Sequence, residues 1–160
     1  GGLAVRMAQK GHQLVCWDIQ PECIEASRQY FTSNGLEPKF KSICGSMDDS
    51  ALWSQHSPSD GFLAITLMRS LIWLPYNKAV FTLQQARRHL AVQGRVWFIV
   101  LGRDASVIPK AHKAIPVQKR FGVIAPADAQ RINMQQPITS YSAEELRELF
   151  DEAEIGRAHV

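Results

Sequence analysis

The chain has 160 residues, of which 46% are hydrophobic and 21% charged, and its formal charge is 18 − 15 = +3. This balance excludes a disordered chain, a collagen-like repeat and a disulfide-stapled miniprotein, because a chain of this length buries a core without covalent help. So small a net charge does not by itself point to nucleic acid.

In chain order, Leu3 to Lys10 reads as a helix that Gly11 ends. His12 to Trp17 reads as a short strand. Pro21 suits the first turn of a second helix, with Cys23/Ile24, Ser27 and Tyr30/Phe31 on one face and Asn34-Gly35 as its stop. Phe40 to Cys44 is a second strand. Asp48-Asp49 then caps a short helix holding Leu52 and Trp53. Gly61 to Leu67 is a continuous apolar run, as in a strand buried on both faces.

A longer helix starts near Asn77, with Ala79, Leu83, Ala86 and Leu90 in one stripe and Arg87, Arg88 and His89 near its C-terminal end. Gly94 makes a turn, and Val96 to Leu101 is another buried strand. The segment from Arg103 to Thr139 is rich in Pro and Gly and poorly periodic. Ser142-x-x-Glu145 is a capping box ahead of Leu146, Leu149 and Phe150. Alternating helices and strands imply an α/β fold, a mostly parallel sheet with helices on both faces.

Cys16, Cys23 and Cys44 form no C-x-x-C pair, so they read as small buried hydrophobes in a reducing compartment. His56, His89 and His112 have no ligand spacing, and no metal is expected. The most apolar stretch, Phe62 to Leu74, is interrupted by Arg69 and Ser70. No membrane span is therefore expected, and the expected compartment is the cytoplasm. The insert carries Arg103, Lys110, Lys113, Lys119, Arg120 and Arg131 against Asp104 and Asp128. These charges read first as a solvated loop face.

The passage with chemical content is Gly1-Gly2-Leu3-Ala4, then Gly11-His12, then Trp17-Asp18-Ile19-Gln20-Pro21-Glu22. Glycines at a helix start let a ligand approach backbone N–H groups closely. A carboxylate at the end of the following strand accepts two hydrogen bonds from a ribose diol. That pairing serves an adenosine-containing cofactor, either NAD or S-adenosylmethionine. Asp18 also suits a capping role ahead of Pro21.

These residues resemble the class I S-adenosylmethionine-dependent methyltransferases. Gly1 resembles the last glycine of that family's G-x-G-x-G loop, and Asp18-Ile19-Gln20-Pro21-Glu22 resembles its D-x-S-P-E. Asn34-Gly35-Leu36 followed by Cys44-Gly45-Ser46-Met47 resembles the third-strand region ending in G-D-[AM]. Ala86-Arg87-Arg88-His89-Leu90 with Gly94-Arg95-Val96-Trp97 resembles R-x-L-x-P-G-G-R-L. Tyr141-Ser142-Ala143-Glu144-Glu145-Leu146 resembles the late F/Y-[ST]-x-E-E-L helix start. The likeness runs over most of residues 1 to 153.

The resemblance implies a Rossmann-like, doubly wound sheet truncated at both ends, with S-adenosyl-L-methionine as cofactor. It implies cofactor contacts from Gly1, Gly2, Asp18, Ile19, Ser46, Met47 and Thr66. Arg69, Trp73 and Tyr76 follow the family's fourth strand and become candidates to line the pocket of a small-molecule methyl acceptor. Trp73 alone reads more simply as core, and Arg69 as solvated or ion-paired. An RNA or protein acceptor is the alternative within the family. A NAD(P)-dependent Rossmann dehydrogenase is the alternative outside it, and a domain that keeps the fold without catalysis is a further one.

The departures are specific. Ser46 stands where the family has an acid that holds the adenine amino group, so either its hydroxyl accepts that bond more weakly or Asp48 reaches in. Val92-Gln93 replaces the Pro-Gly before the fifth strand. Thr66 to Pro75 carries neither H-H-L-P nor N-P-P-Y. Residues 1–154 are expected to be part of a methyltransferase domain that lacks its first and last strands, folding weakly and inactive alone. Ile155-Gly156-Arg157-Ala158-His159-Val160 resembles the translation of a short-read sequencing adapter, and residues 155–160 are expected to be a non-native tail.

Overall fold

The computed structural model describes residues 2–122 and 136–156. Two compact units divide the chain, Gly1–His56 and Ser57–Val160. Each is built on one pair of parallel strands.

The first unit runs α1 (Gly2–Gln9), β1 (Leu14–Asp18), α2 (Pro21–Ser33), β2 (Phe40–Cys44) and α3 (Ser50–His56). Gly11 takes φ +94°, and the His12 amide donates to the Met7 carbonyl at 3.2 Å. This left-handed stop ends α1 and leads the chain into β1. Gln20, extended at φ −94°, leads into Pro21 in the first turn of α2, where the missing N–H costs nothing. The strands pair in register from Leu14 with Phe40 to Asp18 with Cys44.

Val5, Ala8 and Phe31 form this unit's core, with Leu14, Leu36 and Phe40 packed against it. The Phe31 and Phe40 rings stack at 4.0 Å. On α2 the buried stripe is narrower than expected. Ile24 and Phe31 are buried, whereas Cys23 and Tyr30 are exposed; Cys44 is exposed too and Cys16 only partly buried, which corrects the reading of the cysteines as buried hydrophobes. Two helical turns separate Ile24 from Phe31, while Cys23 and Tyr30 lie about 100° around the axis from them.

The second unit contains β3 (Phe62–Met68), α4 (Tyr76–Arg88), β4 (Leu90–Ile99), the single-turn α5 (Lys110–Lys113) and α6 (Ala143–Glu152). β4 starts at Leu90, not at the expected Val96, and Gly94 lies within it. The pairing jumps from Phe62 with Leu90 to Ala64 with Arg95, and Gln93 takes φ 66° in the extra loop of chain. The strands are pressed together there. A Cβ on Gly94 would lie 2.7 Å from the Phe62 carbonyl oxygen, and one on Gly61 would lie 2.5 Å from the Ala91 nitrogen.

β3 and β4 were expected to be buried on both faces, and this is corrected. Ile65 and Leu67 are buried, while Ala64, Thr66 and Met68, and beside them Arg95, Trp97 and Ile99, are exposed. Within this unit α4 and α6 pack on one side only. Leu146, Leu149 and Phe150 of α6 are buried, and the Phe98 and Phe150 rings lie 4.6 Å apart. The insert is also more ordered than expected over its described part. Ile108 and Ile138 are buried together, with Leu101 and Ala105 against them.

The capping box forms as expected. The Glu145 amide donates to Ser142 Oγ at 3.2 Å, and the Ser142 amide donates to Glu145 Oε2 at 2.8 Å. α6 closes with Glu154 at φ 54° and the Ile155 amide on the Phe150 carbonyl at 3.0 Å. Residues 157–160 of the tail lie outside the described residues. Among the described residues no helix is long and apolar enough to cross a membrane.

Candidate functional site

The carboxyl ends of β1 and β2 meet through one backbone bond, the Gly45 amide to the Asp18 carbonyl at 2.9 Å. This places Asp18-Ile19 and Gly45-Ser46-Met47 side by side. α1 packs on β1 through Val5 and Ala8, with Leu14 against them. A Cβ on Gly2 would meet nothing within 4 Å. Gly1 lies outside the described residues.

Asp18 is half-buried, and its Oδ1 accepts the Gln20 amide at 2.9 Å. The carboxylate therefore fixes the turn into α2, which realises part of the capping role read from the sequence, although Gln20 occupies the cap position itself. Its second oxygen has no partner among the described residues. Ile19 is 67% exposed next to it, an apolar surface beside a carboxylate.

At the end of β2 the Ser46 hydroxyl donates to Asp48 Oδ1. The departure from the family pattern at Ser46 thus comes with an acid two residues on, drawn to the serine. Met47 is held from behind, where the buried Trp53 indole donates to its carbonyl at 2.8 Å. The Trp53 ring in turn lies 4.8 Å from that of Trp17 in β1. The indole's bond was not legible in the sequence beyond the two tryptophans themselves.

In the second unit Thr66 is exposed on β3, opposite Trp97 and short of the strand's carboxyl end. Arg69 follows that end at φ 59°, and its amide donates to the Ile99 carbonyl at 2.7 Å. The side chain is exposed and has no ion-pair or hydrogen-bond partner among the described residues. Trp73 is 42% exposed, not core as its bare sequence reading suggested. It ends a 3-10 turn, Leu71–Trp73, whose other two residues take the buried positions. Tyr76 is buried, and its hydroxyl donates to Glu152 Oε2 at 3.0 Å. Burial and that carboxylate push its phenol well above the usual range.

Arg120 corrects the reading of the insert as a solvated charged face, because it is 2% exposed. Its Nε donates to the Ile115 carbonyl at 2.8 Å and its Nη1 to the Ser140 carbonyl at 2.6 Å. It also forks onto Glu145, which Arg103 reaches at 3.3 Å. Burial alone would raise the Glu145 carboxyl, but the Arg120 bonds and the Ser142 amide outweigh it and hold it low. The buried His112 is pushed down by desolvation and by Arg120. A partner lying 25 positions away in sequence leaves no local signal, so this network was not readable beforehand. Among the described residues no group of three His, Cys, Asp or Glu side chains could hold a metal ion.

No protein-family model matches the chain, and no curated protein matches it. Solved structures do. A protein from Galdieria sulphuraria described as a sarcosine dimethylglycine methyltransferase aligns with TM-score 0.65 and 19% identity, over 96% of this chain and 49% of its own. The chain shares the α/β fold of that methyltransferase. PigF, solved with SAH, aligns with TM-score 0.59 and 20% identity, over 99% of this chain and 42% of its own. The [4+2]-cyclase SpnF aligns at TM-score 0.64 and 15% identity, over 94% and 46%. The chain therefore spans about half the length of these structures. A cyclase among them shows that this fold also carries other chemistry, so function has to be argued from the site.

Proposed function

We propose that this chain is the cofactor-binding part of an S-adenosylmethionine-dependent methyltransferase acting on a small-molecule acceptor. The observation that carries the reading is the junction of Asp18-Ile19 with Gly45-Ser46-Met47 at one strand edge. The donor set fits the cofactor. The unpartnered Asp18 oxygen suits a ribose hydroxyl, exposed Ile19 suits the flat face of adenine, and the Ser46–Asp48 pair offers the acceptor that an acid at position 46 would supply to the adenine amino group. Gly2 and the first amides of α1 leave room for the polar end of the molecule.

When bound, the cofactor supplies an already electrophilic methyl group. The chain's own work is then to bind, orient and exclude water, and orientation of two reactants is itself a large part of the rate. Thr66, on the strand itself, stays a cofactor-side candidate. Arg69 and Trp73 follow the carboxyl end of β3, the edge at which open α/β sheets take ligands, and they serve as acceptor-side candidates. Tyr76 is a weaker one, because its hydroxyl is already committed to Glu152.

The test is calorimetry with S-adenosylhomocysteine and with NAD on the parent and on D18A. Binding of S-adenosylhomocysteine that D18A abolishes supports the reading. Binding of NAD alone, or an affinity for S-adenosylhomocysteine that D18A leaves unchanged, overturns it.

A further inference from the structure

Arg69 occupies a backbone position that glycine fills at no steric cost, and arginine does not. The other two non-glycine residues with positive φ among the described residues have local reasons. Gln93 lies in the register break of β4, and Glu154 directly follows the end of α6, where a left-handed residue is ordinary. Arg69 instead follows a strand, with its amide held by the Ile99 carbonyl at 2.7 Å. Backbone outliers of this kind gather where a side chain has work to do.

The charges around it sharpen the point. At the same edge of the β3–β4 pair, Arg103 is engaged by Asp104 at 3.6 Å and Glu145 at 3.3 Å. Arg69 has no acid among the described residues. The surfaces beside it in the chain and across the pair are apolar and open, with Met68 46%, Trp73 42% and Ile99 49% exposed. A guanidinium presents a planar fork of donors that matches a carboxylate or phosphate in two bonds.

We propose that Arg69 reads an oxyanion, a carboxylate or a phosphate, on an aromatic acceptor whose ring lies against the apolar surface of Met68 and Trp73. This deepens the acceptor side of the function proposed above and rests on it. It also explains why the position is not glycine, since the side chain is retained against the backbone's preference.

The test measures binding, in saturating S-adenosylhomocysteine, of 4-hydroxybenzoate, phenyl phosphate, methyl 4-hydroxybenzoate and 4-hydroxybenzamide to the parent, R69K and R69G. The parent should bind at least one anion roughly tenfold more tightly than the neutral compounds, and which anion it prefers separates carboxylate from phosphate. R69K should keep part of that preference, because it keeps the charge and loses the fork. R69G should lose the preference while its Tm stays at or above that of the parent, which separates binding from folding. Equal binding of anions and neutral compounds by the parent, or a preference that survives R69G, overturns the proposal while the methyltransferase reading stands. Failure to bind S-adenosylhomocysteine overturns both. An RNA oligonucleotide that binds through Arg69 while no small anion does also overturns it.

Discussion

Arg120 and Glu145 meet through two parallel hydrogen bonds, Nη1 to Oε2 at 2.7 Å and Nη2 to Oε1 at 2.6 Å. The same glutamate caps α6 and takes Arg103 from beyond the end of β4, while the same arginine holds the Ile115 and Ser140 carbonyls. One buried pair thus ties the insert, the chain entering α6 and the end of β4 together. Removing one partner leaves the other charged and buried, so R120A or E145A should each cost about 3–5 kcal/mol. The double variant R120M/E145L should lose less than the two single losses combined, because it leaves no buried charge behind. Urea denaturation of the four proteins checks this, and strict additivity would show that the pair is not coupled.

The same cluster sets an acid limit on stability. The His112 pKa is lowered in the folded state by desolvation and by Arg120. Its contribution is therefore complete above the unfolded value of about 6.5 and falls as pH drops below it, where the unfolded chain takes up the proton first. Glu145 is also lowered, so its contribution is complete above about 4.3 and is lost as pH falls further. Thermal melts should lose stability in two stages, below about 6.5 and below about 4.3. H112Q should shrink the upper stage, the remainder of which belongs to His89, lowered by desolvation and by Arg88, and should leave the lower stage unchanged.

Much of this architecture was legible because local rules decided it. Gly11, Pro21 and the Ser142–Glu145 box each end or start a helix through backbone chemistry confined to a few neighbouring residues, and each does so in the structure. The Asp18 edge was legible for the same reason, since a strand end and a following proline are local features. What escaped the sequence was relational. Arg120 looked like a loop charge because its partner lies on α6, and Trp73 looked like core because its neighbours Leu71 and Ile72 take the buried positions. The full burial expected of β3 failed likewise. An apolar run reports that a strand is apolar, not how many of its faces a helix covers.

Gly61 gives a direct test of the close approach between β3 and the start of β4. It combines φ +81° with a would-be Cβ only 2.5 Å from the Ala91 nitrogen and 2.7 Å from the Leu90 carbonyl carbon. Both are backbone atoms, so no side-chain rotation relieves the clash. G61A should destabilise by more than the about 1 kcal/mol that a left-handed alanine costs alone. G11A is the control, with φ +94° and nothing within 4 Å of its Cβ, and it should show the backbone cost alone. Equal losses in the two variants would show that the strands are free to separate there.

The Ser46–Asp48 pair and Asp18 divide the proposed cofactor site, and conservative substitutions separate their parts. D18N keeps an oxygen for the Gln20 amide and so preserves the turn into α2, but it removes the charge facing the ribose. A charged acceptor's hydrogen bond is worth about 1.5–3 kcal/mol, which corresponds to roughly a 10- to 100-fold loss in affinity for S-adenosylhomocysteine. D48N should weaken adenosine binding less, because the Ser46 hydroxyl remains to accept from the adenine amino group. S46A/D48N should then fall well below D48N alone. Titration calorimetry on the three variants checks the order. If D48N costs more than D18N, the acid at position 48, and not the one at the end of β1, is the main anchor of the nucleoside.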